Sequence, residues 1–128
     1  MAVRKRLTEI AVEMTKVRRD IHMHPELAFE ETRTSGIVAD RLEQYGIEVH
    51  RGLGKTGVVG TLRCGSSERS IALRADMDAL EMHEENTFDH VSKYENKFHG
   101  CGHDGHTAML LGAAKHLAES RDFDGTVY

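Results

Sequence analysis

The chain has 128 residues, a suitable length for one domain. Its 17 basic and 21 acidic residues give a formal net charge of -4, so its composition offers no electrostatic basis for binding nucleic acid or an anionic membrane surface. No apolar run approaches the roughly 20 residues of a membrane span, and the basic start is not followed by the apolar core of a signal peptide, so we expect a cytoplasmic protein.

Two helices are predicted in the first third of the chain. The first covers residues 7–22 and has an apolar stripe with helical spacing, formed by Leu7, Ile10, Ala11, Met14, Val17 and Ile21. Pro25 ends this helix because proline disfavours the helical conformation of the residue before it. The second helix covers residues 30–45, and Gly46 favours its termination. Its apolar face is predicted to contain Ile37, Val38, Leu42 and Tyr45.

Short strands and a third helix are predicted in the rest of the chain. The strands cover residues 47–50, 58–63 and 71–75, and the last of these is buried in character. Residues 76–106 have no periodic pattern but contain most of the chemically reactive side chains, and a long irregular stretch of this kind is usually functional or disordered. A helix over residues 106–119 follows, with an apolar face of Met109, Leu110, Ala113, Ala114 and Leu117.

The order of these elements predicts the fold class. Helix, helix, three strands, loop, helix and the start of a strand at residues 126–128 indicate an α/β fold whose sheet has parallel components. The chain ends inside an apolar strand, which is unusual for a native carboxyl terminus. We therefore expect residues 1–128 to be the truncated amino-terminal portion of a single α/β domain.

The strongest chemical signal lies between His99 and His106, in the sequence HGCGHDGH. Thiolates and imidazoles are preferred ligands of zinc and similar divalent ions. Cys101 and His103 are one residue apart, and the glycines beside them permit a tight turn that points both side chains at one centre. Asp104 is placed to orient a ligand imidazole. The alternative is a glycine-rich turn with surface histidines. Both Cys64 and Cys101 are expected to be reduced.

Three acidic or histidine-containing segments are weaker candidates. Asp76 and Asp78 follow the third strand as an i, i+2 pair, so in extended backbone they face the same side and can bind or orient a ligand; turn-capping aspartates are the alternative. His22 and His24 are interpreted as a helix-terminal pair that satisfies the last carbonyl groups. Glu84 and its neighbour Glu85 are interpreted as solvated surface residues.

Together these segments resemble the metallopeptidase family that includes hippurate hydrolase, N-acyl-amino-acid amidohydrolases and indoleacetyl-amino acid hydrolases. The matching stretches are HMHPELAFEET, GLGKTGVVGTL, ALRADMDAL, EEN and HGCGHDGHTAMLLGAAKHL. The resemblance runs from about residue 15 to the end. It implies a zinc-peptidase-like catalytic α/β domain, of which this chain is the incomplete amino-terminal part, without the inserted smaller domain that family members use for dimerisation.

The resemblance also implies an activity and site residues. Family members hydrolyse the amide bond between an acyl group and an amino acid with two divalent ions, commonly manganese, zinc, nickel or cobalt, and are often homo-oligomers. By position, Cys101 and His103 resemble the first two metal ligands, and Asp76 and Asp78 occupy the place of a histidine-x-aspartate motif, which makes Asp78 a candidate catalytic residue. The family's general-base glutamate has no counterpart in this chain. Glu81 stands where the family usually has proline, and Gly100 where it usually has alanine.

Three alternatives remain open at this stage. The chain alone is expected to be inactive, because two ligands do not hold two ions firmly and the general base is missing. It can instead be a small metal-binding module with a closed site between His99 and His106, or an interaction module without metal. A nucleophilic Cys101 is the remaining enzyme hypothesis, since nearby imidazoles and a helix amino terminus also activate a thiol.

Overall fold

A computed structural model describes residues 2–128 of the chain as three helices and a four-stranded sheet. The α/β fold class predicted from the sequence is confirmed. In chain order the elements are α1 (Ala2–Met23), α2 (Thr32–Gln44), β1 (Glu48–Leu53), β2 (Gly57–Cys64), β3 (Ser70–Ile71), α3 (His103–Ser120) and β4 (Gly125–Val127). No helix in this part of the chain combines the length and apolar character needed to cross a bilayer.

The core lies where α1 packs against α3. The predicted apolar stripe of α1 supplies four of its buried residues, and α3 supplies Ala108 and Leu111. Leu7 at the start of the stripe is 46% exposed and lies outside this core. All four predicted apolar residues of α2 pack against the core from the side. Burial of these side chains, at about 25 cal/mol per Å² of apolar surface, holds the three helices together.

The start of α2 is capped by a side chain from the preceding loop. Glu31, at the N-cap position, makes no capping hydrogen bond. Glu26 accepts the backbone N–H of Arg33 on Oε1 at 2.8 Å and that of Thr34 on Oε2 at 2.7 Å. The Thr34 hydroxyl donates to the same Oε2 at 2.7 Å. A carboxylate at this position satisfies free N–H groups and interacts favourably with the helix dipole.

The sheet has the strand order β1-β2-β4-β3. β1 and β2 pair antiparallel, as do β2 and β4, whereas β3 and β4 are parallel, so the predicted parallel component is present. The prediction of a buried third strand over residues 71–75 is wrong. The strand β3 is two residues long and exposed, with Ile71 58% exposed, because it is an edge strand that has a neighbour on one side only.

The helix α3 begins at His103, three residues before the predicted start. Gly102 adopts a φ of +89°, and its carbonyl oxygen accepts the backbone N–H groups of Gly105 and His106. The predicted flexibility of the glycines is therefore used at Gly102, where an L residue would be strained. Met109, expected in the core, is 66% exposed, whereas Leu111 is 2% exposed.

Contacts with other elements fix the irregular segment between β3 and α3. The backbone N–H of Ala79 donates to the carbonyl oxygen of Glu26 at 2.8 Å. Leu80 and Phe98 exchange two backbone hydrogen bonds of 3.0 Å, which closes the intervening loop. Asp76, Asp78 and the first turn of α3 are thereby held at one end of the α1–α3 pair.

Candidate metal centre

His103, the first residue of α3, is held by the segment that follows β3. Its Nδ1 lies 2.9 Å from the carbonyl oxygen and 3.0 Å from Oδ1 of Asp78. Because both partners are acceptors, we assign the ring proton to Nδ1, which leaves the lone pair of Nε2 free. A carboxylate or carbonyl on the far nitrogen is the usual way in which a metal-binding imidazole is oriented.

Asp76 faces the same imidazole from the other side. Its Oδ2 lies 3.6 Å from His103 Nε2, and its Oδ1 lies 2.7 Å from Nδ1 of His106. The hydrogen bond from His106 is the largest cause that holds the pKa of Asp76 below its usual value, although burial opposes it. The Thr107 hydroxyl fixes the backbone by donating to the Asp76 carbonyl oxygen at 2.9 Å. Asp76 and Asp78 therefore both lie beside His103.

Three side chains form a group that fits a divalent cation. One ligand atom from each of Asp76, His103 and His106 lies within 4.8 Å of the others. The rings of His103 and His106 stack with their centroids 5.4 Å apart. Two imidazoles and a carboxylate are a donor set that suits zinc, manganese and related ions. The cluster is open to solvent, since the His106 side chain is 49% exposed.

Cys101, the other predicted ligand, lies outside this group of three. It precedes Gly102 in the turn before α3 and is exposed, with a free thiol. Cys64 also has a free thiol and is partly buried. Ligation by Cys101 therefore stays a prediction, and the structure adds Asp76 and His106 to His103.

A buried polar network of His22, Glu84 and Asp104 lies next to the cluster. For His22 and Glu84 the structure differs from the interpretation of the sequence. His22 Nδ1 lies 2.8 Å from Asp104 Oδ2, and His22 Nε2 lies 2.9 Å from Glu84 Oε1. The interpretation of His22 as a helix-terminal residue that satisfies carbonyl groups is wrong, because both of its ring nitrogens contact carboxylate oxygens instead. It is correct for His24, whose Nδ1 lies 2.8 Å from the carbonyl oxygen of Asp20.

The surface interpretation of Glu84 is also wrong. Its side chain is 3% exposed, while Glu85 is exposed as expected. One signal for this network was present in the sequence. His22 lies four residues after Arg18 and eight after Met14, so it falls on the edge of the apolar stripe of α1 rather than on its polar face. The acidic partners are 62 and 82 residues away and carry no such signal.

His99 is a second buried imidazole near the cluster. It is 4% exposed, and neither ring nitrogen has a hydrogen-bond partner among residues 2–128. Burial lowers the pKa of His99, partly offset by the charge of Asp104, so the ring is neutral near pH 7.

The chain is similar in sequence to known peptidases and amidohydrolases. The sequence profile described as Peptidase family M20/M25/M40 matches residues 72–128. Hippurate hydrolase of Campylobacter jejuni is 49% identical over 121 residues, which are 94% of this chain and 31% of that protein. N-acyl-L-amino acid amidohydrolase of Geobacillus stearothermophilus is 44% identical, over 94% of this chain and 32% of that protein.

One solved structure matches the fold closely. A dinuclear metal-binding peptidase of the M20 family from Bacillus subtilis superimposes with a TM-score of 0.88 and 37% identity, over 94% of this chain and 34% of that chain. The present chain thus spans about a third of the length of the relatives that it matches.

Proposed function

We propose, because this chain belongs to the M20 peptidase family, that it supplies the amino-terminal part of the catalytic domain of a metal-dependent amidohydrolase. The substrate class that we propose is N-acyl amino acids, with cleavage of the amide bond between the acyl group and the amino acid. The relatives named hippurate hydrolase and N-acyl-L-amino acid amidohydrolase support this class. The observation that carries the proposal is the convergence of ligand atoms from Asp76, His103 and His106 within 4.8 Å.

His103 would hold a divalent ion through Nε2, together with Asp76 and His106, and the exposed thiol of Cys101 is accessible as a further ligand. Manganese, zinc, nickel and cobalt are the candidate ions, with two per intact site as the family resemblance implies. When bound, such an ion polarises an amide carbonyl and lowers the pKa of a bound water to about 7.

The chain's own residues orient the ligands. Asp78 accepts the Nδ1–H of His103 and so presents the other nitrogen to the ion. We assign Asp78 this role in catalysis rather than direct proton transfer to the substrate. Asp76 is anionic at neutral pH, because the hydrogen bond from His106 keeps its pKa low, and its charge favours a cation at this position.

We further propose that the 128-residue chain binds metal but does not hydrolyse N-acyl amino acids by itself. Within the part of the chain that the structure describes, no glutamate belongs to the cluster, so no carboxylate of that kind is placed to take a proton from water. The inserted dimerisation domain and homo-oligomerisation belong to the intact protein in this proposal. A cytoplasmic location fits two free thiols, which reducing conditions preserve.

Metal binding tests the proposal directly. Isothermal titration of the chain with Mn²⁺ or Zn²⁺ should show saturable binding that His103→Gln or Asp76→Asn weakens at least about tenfold. His50→Gln is the matched control, since His50 is exposed on β1. Equal affinities for all three variants, or no binding to the parent chain, would overturn the metal assignment.

Two further measurements separate the alternatives. Release of glycine from N-benzoylglycine with added Mn²⁺ should be absent for the chain alone, and measurable turnover would refute its inactivity. X-ray absorption of the zinc-loaded chain should show at least one oxygen ligand from water. A closed four-coordinate shell of protein ligands would indicate the small metal-binding module instead.

A further inference from the structure

His22 is buried between two carboxylates that come from distant parts of the chain. The imidazole is 5% exposed, and the side chains of Asp104 and Glu84 are 2% and 3% exposed. Each ring nitrogen lies within 2.9 Å of a carboxylate oxygen. The imidazole therefore joins the last turn of α1, the irregular segment before α3 and the first turn of α3 at one point.

Counting donors identifies the protonation state of this ring. An ionised carboxylate only accepts hydrogen bonds, and a neutral imidazole has a single N–H donor. A neutral His22 would leave one nitrogen lone pair facing a carboxylate lone pair inside the protein, which is strongly unfavourable. With His22 doubly protonated, both contacts become charge-assisted hydrogen bonds.

The surroundings of Glu84 favour the proton on His22 rather than on that carboxyl group. Glu84 also accepts the backbone N–H of Ser92 at 2.5 Å and a side-chain N–H of Asn86 at 2.8 Å. Burial alone would raise the pKa of Glu84, but the hydrogen bonds from His22, Asn86 and Ser92 outweigh it and leave the pKa below its usual value. Glu84 is therefore ionised at neutral pH.

The local charges balance when His22 is a cation. Arg18 Nε lies 3.1 Å from the Asp104 oxygen that His22 contacts, so two cations face two anions. Two further imidazoles lie nearby, those of His90 and His99, whose ring centroids lie 5.7 and 6.2 Å from that of His22. Burial lowers the pKa of His90, so that ring adds no competing positive charge near pH 7.

We propose that His22 donates from both ring nitrogens and is a positioning residue, which fixes the first turn of α3, and with it His103, by binding the carboxylates of Asp104 and Glu84 together. The second half of this inference rests on the proposed metal function of His103. Asp104 follows His103 in the chain, so a displacement of the Asp104 carboxylate shifts the first turn of the helix. Loss of the cation leaves the buried carboxylate of Glu84 without this positive partner and that of Asp104 with Arg18 alone, which favours that displacement.

Nitrogen NMR of the ¹⁵N-histidine-labelled chain tests the protonation state without metal. Both His22 nitrogens should show imidazolium shifts at pH 7, assigned by loss of the signals in His22→Gln. A His22 ring with a single protonated nitrogen in the folded chain overturns the proposal.

Variants test the positioning role. His22→Gln should change the His103 nitrogen shifts in the metal-free chain and weaken Mn²⁺ or Zn²⁺ binding about tenfold or more. His24→Gln is the matched control, because His24 is two residues away on the same helix end and contacts neither carboxylate. If His22→Gln unfolds, His22→Gln combined with Glu84→Gln removes one charge of each sign and supplies the same comparison.

The outcomes distinguish this inference from the proposed function. If the parent binds no metal, the proposed function fails, yet the His22 and His103 nitrogen shifts still decide the inference. If metal binds and the His103 shifts and affinity are the same in the His22 and His24 variants, the positioning role is refuted while the metal assignment stands.

Discussion

Replacing Glu26 with alanine should destabilise the protein through the start of α2, although Glu26 lies outside that helix. Its carboxylate accepts the backbone N–H groups of Arg33 and Thr34 and the Thr34 hydroxyl, at 2.7 to 2.8 Å. These are N–H groups of the first turn, which have no partner within the helix. The Glu26→Ala variant removes all three hydrogen bonds and the negative charge at the helix amino terminus.

The magnitude follows from the exposure of the two N–H groups. Arg33 is exposed, so its N–H regains a hydrogen bond to water and the loss there is small. Thr34 is fully buried, so its N–H and hydroxyl remain without a partner at a cost of about 1–3 kcal/mol. Loss of the charge–dipole interaction adds about 0.3–1 kcal/mol. We expect the free energy of unfolding to fall by roughly 2–3 kcal/mol in total.

Urea denaturation followed by circular dichroism at 222 nm measures this difference, with Glu30→Ala as the control. Glu30 lies in the same loop, and its only ion pair in the described chain is a 3.5 Å contact with Lys97 at an exposed site. The control should lie within about 0.5 kcal/mol of the parent. Equal losses for both variants would refute the assignment of Glu26 as the cap of α2.

Three further predictions concern pH, backbone and metal. The hydrogen bond from Lys115 lowers the pKa of Glu13. Glu13 therefore stabilises the fold above its ordinary pKa, and this contribution is lost as pH falls through the lower folded value. The Glu13→Gln variant should show a shallower fall of the urea midpoint between about pH 5 and 3. Gly125 has a φ of +141°, and a Cβ there would lie 2.5 Å from a backbone carbonyl oxygen. The Gly125→Ala variant should therefore lower the free energy of unfolding by about 1–3 kcal/mol. In the same assay Gly36→Ala, which places its Cβ in open space within α2, should raise the free energy of unfolding by about 0.5–1 kcal/mol. Excess Mn²⁺ should slow the reaction of the exposed Cys101 thiol with a disulfide reagent; an unchanged rate would exclude Cys101 as a ligand.

Local periodicity accounts for what could be predicted of the fold. The stripe of α1 and the face of α2 are set by apolar spacing, so both helices lie within a few residues of their predicted bounds apart from the start of α1. The predicted start of α3 lies three residues after the observed one, because the first turn is polar, contains glycine and has no apolar periodicity. The apolar residues at and after Ile71 predict a buried third strand. Burial of a strand depends on its place in the strand order, which is not a local property, and β3 lies at the edge of the sheet.

The same distinction holds for the candidate site. The spacing of Asp76 and Asp78 predicts that both face the same side, and in the structure both carboxylates lie within 3.6 Å of the His103 ring nitrogens. Ligand chemistry predicts both His103 and Cys101 as ligands; the structure places His103 in a group that could hold a cation, and ligation by either residue remains a prediction. The position of His22 on the edge of the apolar stripe is a signal of burial, but its partners could not be derived, because Glu84 and Asp104 are 62 and 82 residues away in the chain.

The pairing of the first and last helices has a consequence for synthesis of the protein. Ile21 of α1 and Leu111 of α3 belong to one core but are 90 positions apart (111 minus 21). At about 5–20 residues per second, the ribosome needs roughly 5–20 s to add the missing partner after α1 has been made. During that interval the apolar stripe of α1 is uncovered, which makes the nascent chain a natural client for chaperones that bind amphipathic segments.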